Sequence, residues 1–174
     1  MPKNFKQVAI LVEDQYQVLE VWYPLLRLKE AGMSVKTIGS GTKPVYPSKE
    51  GYPCTVDMAI QDAKVKDFDG VIIPGGWAPD FLRRSEKMVQ FVKQLYADGR
   101  VVASICHGGW MLVSAGICKG NQLTCFYAIK DDVIAAGGKY VDSEGVVDKN
   151  LITSRKPEDL PRFMQEIIKN INKS

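Results

Sequence analysis

Val101-Val102-Ala103-Ser104-Ile105-Cys106-His107-Gly108 is the stretch that decides the fold. Its five apolar or small residues suit a β-strand buried on both faces, and a helix is predicted directly after it, over 109–115. The cysteine between the two has a small residue two positions before it and a glycine two positions after it. That is the layout of a nucleophile elbow, where a sharp turn crowds its own backbone and needs small neighbours.

Working outward, the same alternation recurs. An apolar run at 8–12 precedes a helical pattern over 18–31, in which Leu19, Trp22, Leu25, Leu26 and Leu28 share helical spacing and Gly32 is the stop. Pro24 is expected to weaken or kink its first turns. Strands are predicted at 34–38 and 68–73, the second ending at Pro74-Gly75-Gly76, and a helix over 86–97 is closed by Gly99. A short strand at 122–125, a helix over 129–136, short strands at 139–141, 146–147 and 151–152, and an amphipathic helix over 160–171 complete the chain. Strand and helix in turn imply an α/β fold, a mostly parallel sheet with helices on both faces. Ligands in such sheets gather at the carboxyl ends of the strands, so the loops after Ile73 and Ile105 matter most.

Composition excludes several classes. The chain has 174 residues, 45% of them apolar, with 23 basic against 20 acidic side chains and a formal charge of +3. One domain over 1–174 is expected, large enough to fold without disulfide or structural metal. Charges of both signs are interspersed, which argues against a nucleic-acid or membrane surface. The apolar run at 8–12 is too short for a signal-peptide core or a membrane span, so a cytoplasmic location is expected. Four cysteines without a Cys-x-x-Cys pair, in a reducing compartment, read as free thiols. His107 is the one histidine, and a single imidazole with scattered thiols does not make a zinc site. Gly39-Ser40-Gly41 is half of a dinucleotide fingerprint, but Pro44 stands where the third glycine is required. No metal, nicotinamide or flavin is expected.

The chemistry therefore centres on Cys106 and His107. A thiol on such an elbow feels the positive end of the following helix, which predicts a depressed pKa for Cys106. Gly75 and Gly76 let backbone N–H groups approach a substrate, and with the His107 amide they form a candidate oxyanion hole.

These residues resemble the ThiJ/PfpI family, the DJ superfamily of flavodoxin-like proteins that includes PfpI-type intracellular proteases. The carriers are Tyr23-Pro24 with Arg27-Leu28-Lys29-Glu30, then Pro74-Gly75-Gly76 with Ala78-Pro79-Asp80, then Val102 to Gly108. Ser114-Ala115-Gly116, Ile129-Lys130-Asp131-Asp132 and Thr153-Ser154-Arg155 continue it. The resemblance implies a flavodoxin-like sandwich, Cys106 as nucleophile, His107 as its partner, and Gly76 with the His107 amide at the oxyanion position. It also implies that Asp80 of a neighbouring subunit orients the histidine, in a homodimer or hexamer. The family carries a glutamate after the first strand that hydrogen-bonds the cysteine sulfur, and ungapped matching through Tyr23-Pro24 places Gln17 there, with Glu13, Asp14 or Glu20 as possible substitutes. Further departures are Trp110 and Phe126, and Trp77 and Trp110 are candidates to wall the pocket. Cys118 and Cys125 read as structural, and Cys54 has no assigned role. The expected activity is cysteine-dependent hydrolysis of a peptide or small amide. Gln17 argues against the alternative, deglycation of methylglyoxal adducts, and redox sensing by the thiol is a third reading.

Overall fold

The computed structural model describes residues 5–173. The elements in chain order begin with β1 (Gln7–Val12), α1 (Val18–Glu30), β2 (Ser34–Gly39), β3 (Val45–Pro47), β4 (Pro53–Thr55), β5 (Met58–Ala59) and β6 (Gly70–Ile73). After these come α2 (Ala78–Leu82), α3 (Glu86–Ala97), β7 (Val101–Ile105), α4 (Gly109–Ser114), β8 (Gln122–Leu123) and α5 (Lys130–Ala135). The last are β9 (Lys139–Tyr140), β10 (Val146–Asp148), β11 (Leu151–Ser154) and α6 (Leu160–Lys173). A seven-stranded sheet in the order β10-β11-β7-β6-β1-β2-β5 organises them. All its pairings are parallel except β10 with β11 at one edge. The chain runs outward from β1 to β2 and β5 and then crosses back to β6, so the strand order reverses between β1 and β6. A crevice opens at such a point beyond the carboxyl ends of the strands.

The central strands are apolar because neither face meets water: every residue of β6 and β7 is buried, as is every residue of β1 after Gln7. Helices cover the sheet with one apolar stripe each. On α3 this is Met88, Phe91, Val92 and Leu95, and on α6 it is Leu160, Phe163, Met164, Ile167 and Ile171, the spacing of one helical face. Ser85 starts α3 by accepting a hydrogen bond from the Met88 amide. None of the helices is long and apolar enough among the described residues to cross a membrane.

Several sequence expectations need correction. Pro24 does not interrupt α1, which runs unbroken from Val18 to Glu30 with Pro24 on its buried side. The strand predicted at 122–125 is only β8, which pairs with β9 in a separate two-stranded ladder. The region between β2 and β6 holds an antiparallel hairpin of β3 and β4, with Tyr46 opposite Cys54. Its tip is fastened to the core by Tyr16, whose backbone bridges to Ser48 on one side and Gly76 on the other. The Lys49 amide also donates to Tyr16 O at 3.0 Å.

Candidate active site

At the carboxyl end of β7 the chain turns through Cys106 with φ of 60°, a left-handed conformation that costs a side-chain-bearing residue of order 1–3 kcal/mol. A short 3-10 turn over Cys106–Gly108 then leads into α4. The turn closes because its neighbours are small. A Cβ on Gly108 would lie 2.6 Å from Ile73 O and 2.8 Å from Ser104 Oγ. A Cβ on Gly75 would lie 2.7 Å from both Cys106 Cβ and Glu20 Oε2. The elbow read from sequence is therefore present in the backbone.

Around the sulfur stand groups from three strand ends. The amides of His107 and Gly76 point at it, and His107 Nδ1 lies 3.3 Å away. The carboxyl of Glu20, on the first turns of α1, faces it from below. Glu20 is fully buried. Its Oε2 accepts from the Gly75 amide at 2.6 Å, while Oε1 is buried and makes no hydrogen bond.

The electrostatics follow from burial. Desolvation pushes Glu20 up to about 7, against the opposing pull of the Gly75 amide, the Cys106 side chain and the Lys49 ammonium. Burial and then the Glu20 charge push the Cys106 thiol up to about 12, although the His107 and Gly76 amides pull it down. The depressed thiol pKa expected from the sequence is thus corrected. The sulfur belongs to a residue only 7% exposed, α4 is a mere six residues long, and a carboxyl shares the enclosure. Near neutrality the thiol keeps its proton, and Glu20 is the member of the pair that exchanges one. Burial, and behind it Lys49, lowers the imidazole of His107, which keeps it neutral and able to accept a proton.

Gln17 is not at the sulfur. It caps α1, its side chain accepting from the Leu19 amide at 2.6 Å and the Glu20 amide at 3.2 Å, and Glu20, one turn on, occupies the position assigned to it. Glu13 and Asp14 stand elsewhere. Glu13 accepts from the Asp14 amide, and Asp14 pairs with Lys43 at 2.7 Å. Asp80 lies in the first turn of α2, whose cap is Trp77, and its carboxylate pairs with Arg83 and Arg84 of the same chain. Trp77 and Trp110 do flank the site: their ring centroids lie 5.5 and 5.2 Å from that of His107, and Phe126 stacks on the imidazole at 5.0 Å. A cavity of about 300 Å³ opens between Gln15, Trp77, Asp80, Phe81 and Trp110. Cys54, Cys118 and Cys125 are buried free thiols. Among the described residues no group of three or more His, Cys, Asp or Glu side chains is placed to hold a metal ion. Lys49 gave no sequence signal, because an exposed loop lysine is unremarkable until the hairpin tip is seen to bring it near Glu20 and His107.

The model of the DJ-1/PfpI family matches residues 6–170. A deglycase of Pyrococcus abyssi is 43% identical over 94% of this chain and 98% of its own length. YraA of Bacillus subtilis, provisionally named a cysteine protease, is 38% identical over 92% of this chain and 95% of its own. Among solved structures, a two-domain protein of Anabaena variabilis with DJ-1/ThiJ/PfpI-like and ferritin-like domains superposes with a TM-score of 0.94 at 40% identity. That match covers 96% of this chain and 48% of the Anabaena protein.

Proposed function

The chain belongs to the DJ-1/PfpI family, and from that premise we propose that it is a cysteine-dependent deglycase acting on adducts of amines with a 2-oxoaldehyde such as methylglyoxal. The observation that carries this reading is the buried Glu20 carboxyl beside the sulfur. A carboxyl near 7 is matched to proton transfer at neutral pH, and it removes the objection raised by Gln17.

The thiol is ionised in the act of attack. Glu20 takes the proton as sulfur bonds to the carbinol carbon of R–NH–CH(OH)–CO–CH3, the carbon–nitrogen bond breaks, and the proton passes to the departing amine. The resulting hemithioacetal isomerises as Glu20 moves a proton from the sulfur-bearing carbon to its neighbour. The first carbon is oxidised to a thioester and the second reduced to an alcohol, with no outside oxidant. Water then releases lactate and restores the thiol. The Gly76 and His107 amides support the oxyanions that form, and the neutral imidazole of His107 accepts the proton of the attacking water.

A second reading, hydrolysis of a peptide or small amide, is favoured by the closeness of His107 Nδ1 to Sγ at 3.3 Å. It uses the same nucleophile but does not need Glu20. We also propose that Asp80 reaches His107 only across an interface between copies of this chain, in a homodimer or hexamer. Redox sensing is disfavoured by a sulfur that is buried and held as thiol. The test is lactate formation from 13C-labelled methylglyoxal adducts of N-acetyl-arginine and N-acetyl-lysine, run beside hydrolysis of fluorogenic peptide amides. Cys106→Ala and Glu20→Gln should each abolish lactate formation. Amide hydrolysis without lactate formation, insensitive to Glu20→Gln, would replace the first reading with the second.

A further inference from the structure

Three aromatic rings enclose the imidazole of His107, and the proposed chemistry uses none of them. Phe126 stacks on it with planes at 29°, Trp110 meets it edge-on at 65°, and Trp77 lies at 45°. Among the described residues, no carboxylate hydrogen-bonds the imidazole, whose one such contact is with Sγ.

Trp110 differs from the other two rings because polar contacts hold it on two sides. Its Nε1 donates to Asp132 Oδ2 at 2.8 Å, and the Arg83 guanidinium lies over its ring at 5.0 Å. Phe126 has no polar side-chain atom, and Trp77 is 53% exposed, its ring centroid lying 5.5 Å from that of His107 and 6.3 Å from that of Trp110. Asp132 belongs to Lys130-Asp131-Asp132 at the start of α5, a motif left without a role so far. A ring fixed at both edge and face is a rigid wall, and rigid walls are what hold a reacting group within the fraction of an ångström that catalysis requires.

We propose that Asp132 and Trp110 are positioning residues for His107: Asp132 fixes the indole through Nε1, and the indole holds the imidazole with Nδ1 toward Cys106 Sγ. This rests on His107 acting with Cys106, as in the reading above. The charged and titratable groups around the imidazole and its ring wall are Cys106 on its own turn, Glu20 from α1, Lys49 from the hairpin tip, Asp80 and Arg83 at α2, and Asp132 beyond Trp110.

The test exploits the single histidine of the chain. In protein labelled with 15N-histidine, the two ring nitrogens report tautomer and titration with no other imidazole in the spectrum. The intact chain should show one dominant tautomer and a midpoint below the ordinary 6.5. Trp110→Leu should mix the tautomers and raise the midpoint toward that value, and Asp132→Ala should do the same to a smaller degree. Asp132→Asn keeps an acceptor for Nε1 and should match the parent. Turnover by Asp132→Ala should fall about tenfold in kcat with KM within about twofold. Asp132 is exposed, so its variants remain informative if Trp110→Leu fails to fold. Parent-like tautomer and midpoint in Asp132→Ala, checked by an unchanged melting temperature, would overturn the proposal. Altered imidazole signals in a protein that forms no lactate would uphold it while removing the deglycase reading.

Discussion

Replacing Glu20 by glutamine should raise stability at high pH while removing activity. The folded state holds the Glu20 proton up to about 7, whereas the ordinary value is 4.5. Folding therefore takes up a proton between those limits, and stability from this group is full below the lower value and is lost as pH rises through the upper. At 1.36 kcal/mol per pH unit the whole span is about 3 kcal/mol, of which about 2–3 kcal/mol falls between pH 5 and pH 9. Glutamine carries no charge to bury and keeps an acceptor for the Gly75 amide, which now donates to Glu20 at 2.6 Å. Relative to the parent, Glu20→Gln should thus gain about 2–3 kcal/mol on going from pH 5 to pH 9, roughly 5–10 °C in melting temperature for a chain of this size. The opposing contribution of His107, whose imidazole is lowered by burial, is present in both proteins and cancels in the difference. Thermal melts by circular dichroism at the two pH values measure it. Iodoacetamide rates on the same samples add the thiol, which loses a repelling neighbour and should ionise below its present value of about 12. Parallel pH dependence of the two proteins would mean that Glu20 is not carrying a buried, raised carboxyl. A thiol that ionises at higher pH in the variant would mean that Glu20 donates to a resting thiolate.

Two further outcomes follow from the same geometry. Gln17→Glu keeps an acceptor at the start of α1 and adds a charge favourable at a helix N-terminus by about 0.3–1 kcal/mol; lactate formation should stay within about twofold of the parent, because Gln17 caps the helix and does not face the sulfur. Inactive Cys106→Ala and Asp80→Asn chains, unfolded together and refolded as a mixture, should regain part of the parent activity if Asp80 serves a neighbouring subunit, because some sites then pair an intact Cys106 with an intact Asp80. No recovery over either variant alone would confine Asp80 to its pairs with Arg83 and Arg84.

Elements that signal through local chemistry were legible in the sequence. α3 occupies the predicted 86–97 because Ser85 and Gly99 mark its ends and its stripe has one period. β7 occupies 101–105 because an apolar run of that length, followed by an elbow, has few other uses. The hairpin of β3 and β4 was not legible, since its pairing and its anchorage on Tyr16 depend on residues far apart in the chain. The sequence points to the loops after β6 and β7 and leaves Glu13, Asp14 and Glu20 open as the carboxyl, of which the structure puts Glu20 beside the sulfur. Gln17 and Glu20 lie one turn apart at the start of α1, and spacing alone does not tell which bonds its own helix amides and which turns inward. The raised thiol is hidden from the sequence for a related reason. The favourable backbone amides are visible in the motif, whereas the desolvation that outweighs them comes from packing.

The groups that meet at the sulfur come from residue 20, in α1 after β1, and from residues 75–76 and 106, just beyond β6 and β7, and these three strands are neighbours in the sheet. Synthesis from the N-terminus delivers the carboxyl first, the glycine amides next and the sulfur last. A growing chain on the ribosome thus has the carboxyl and the Gly75–Gly76 turn behind it before Cys106 emerges, whereas the Trp110 and Phe126 walls follow. A truncated product ending before β7 lacks the elbow sulfur and keeps Cys54 as its one thiol.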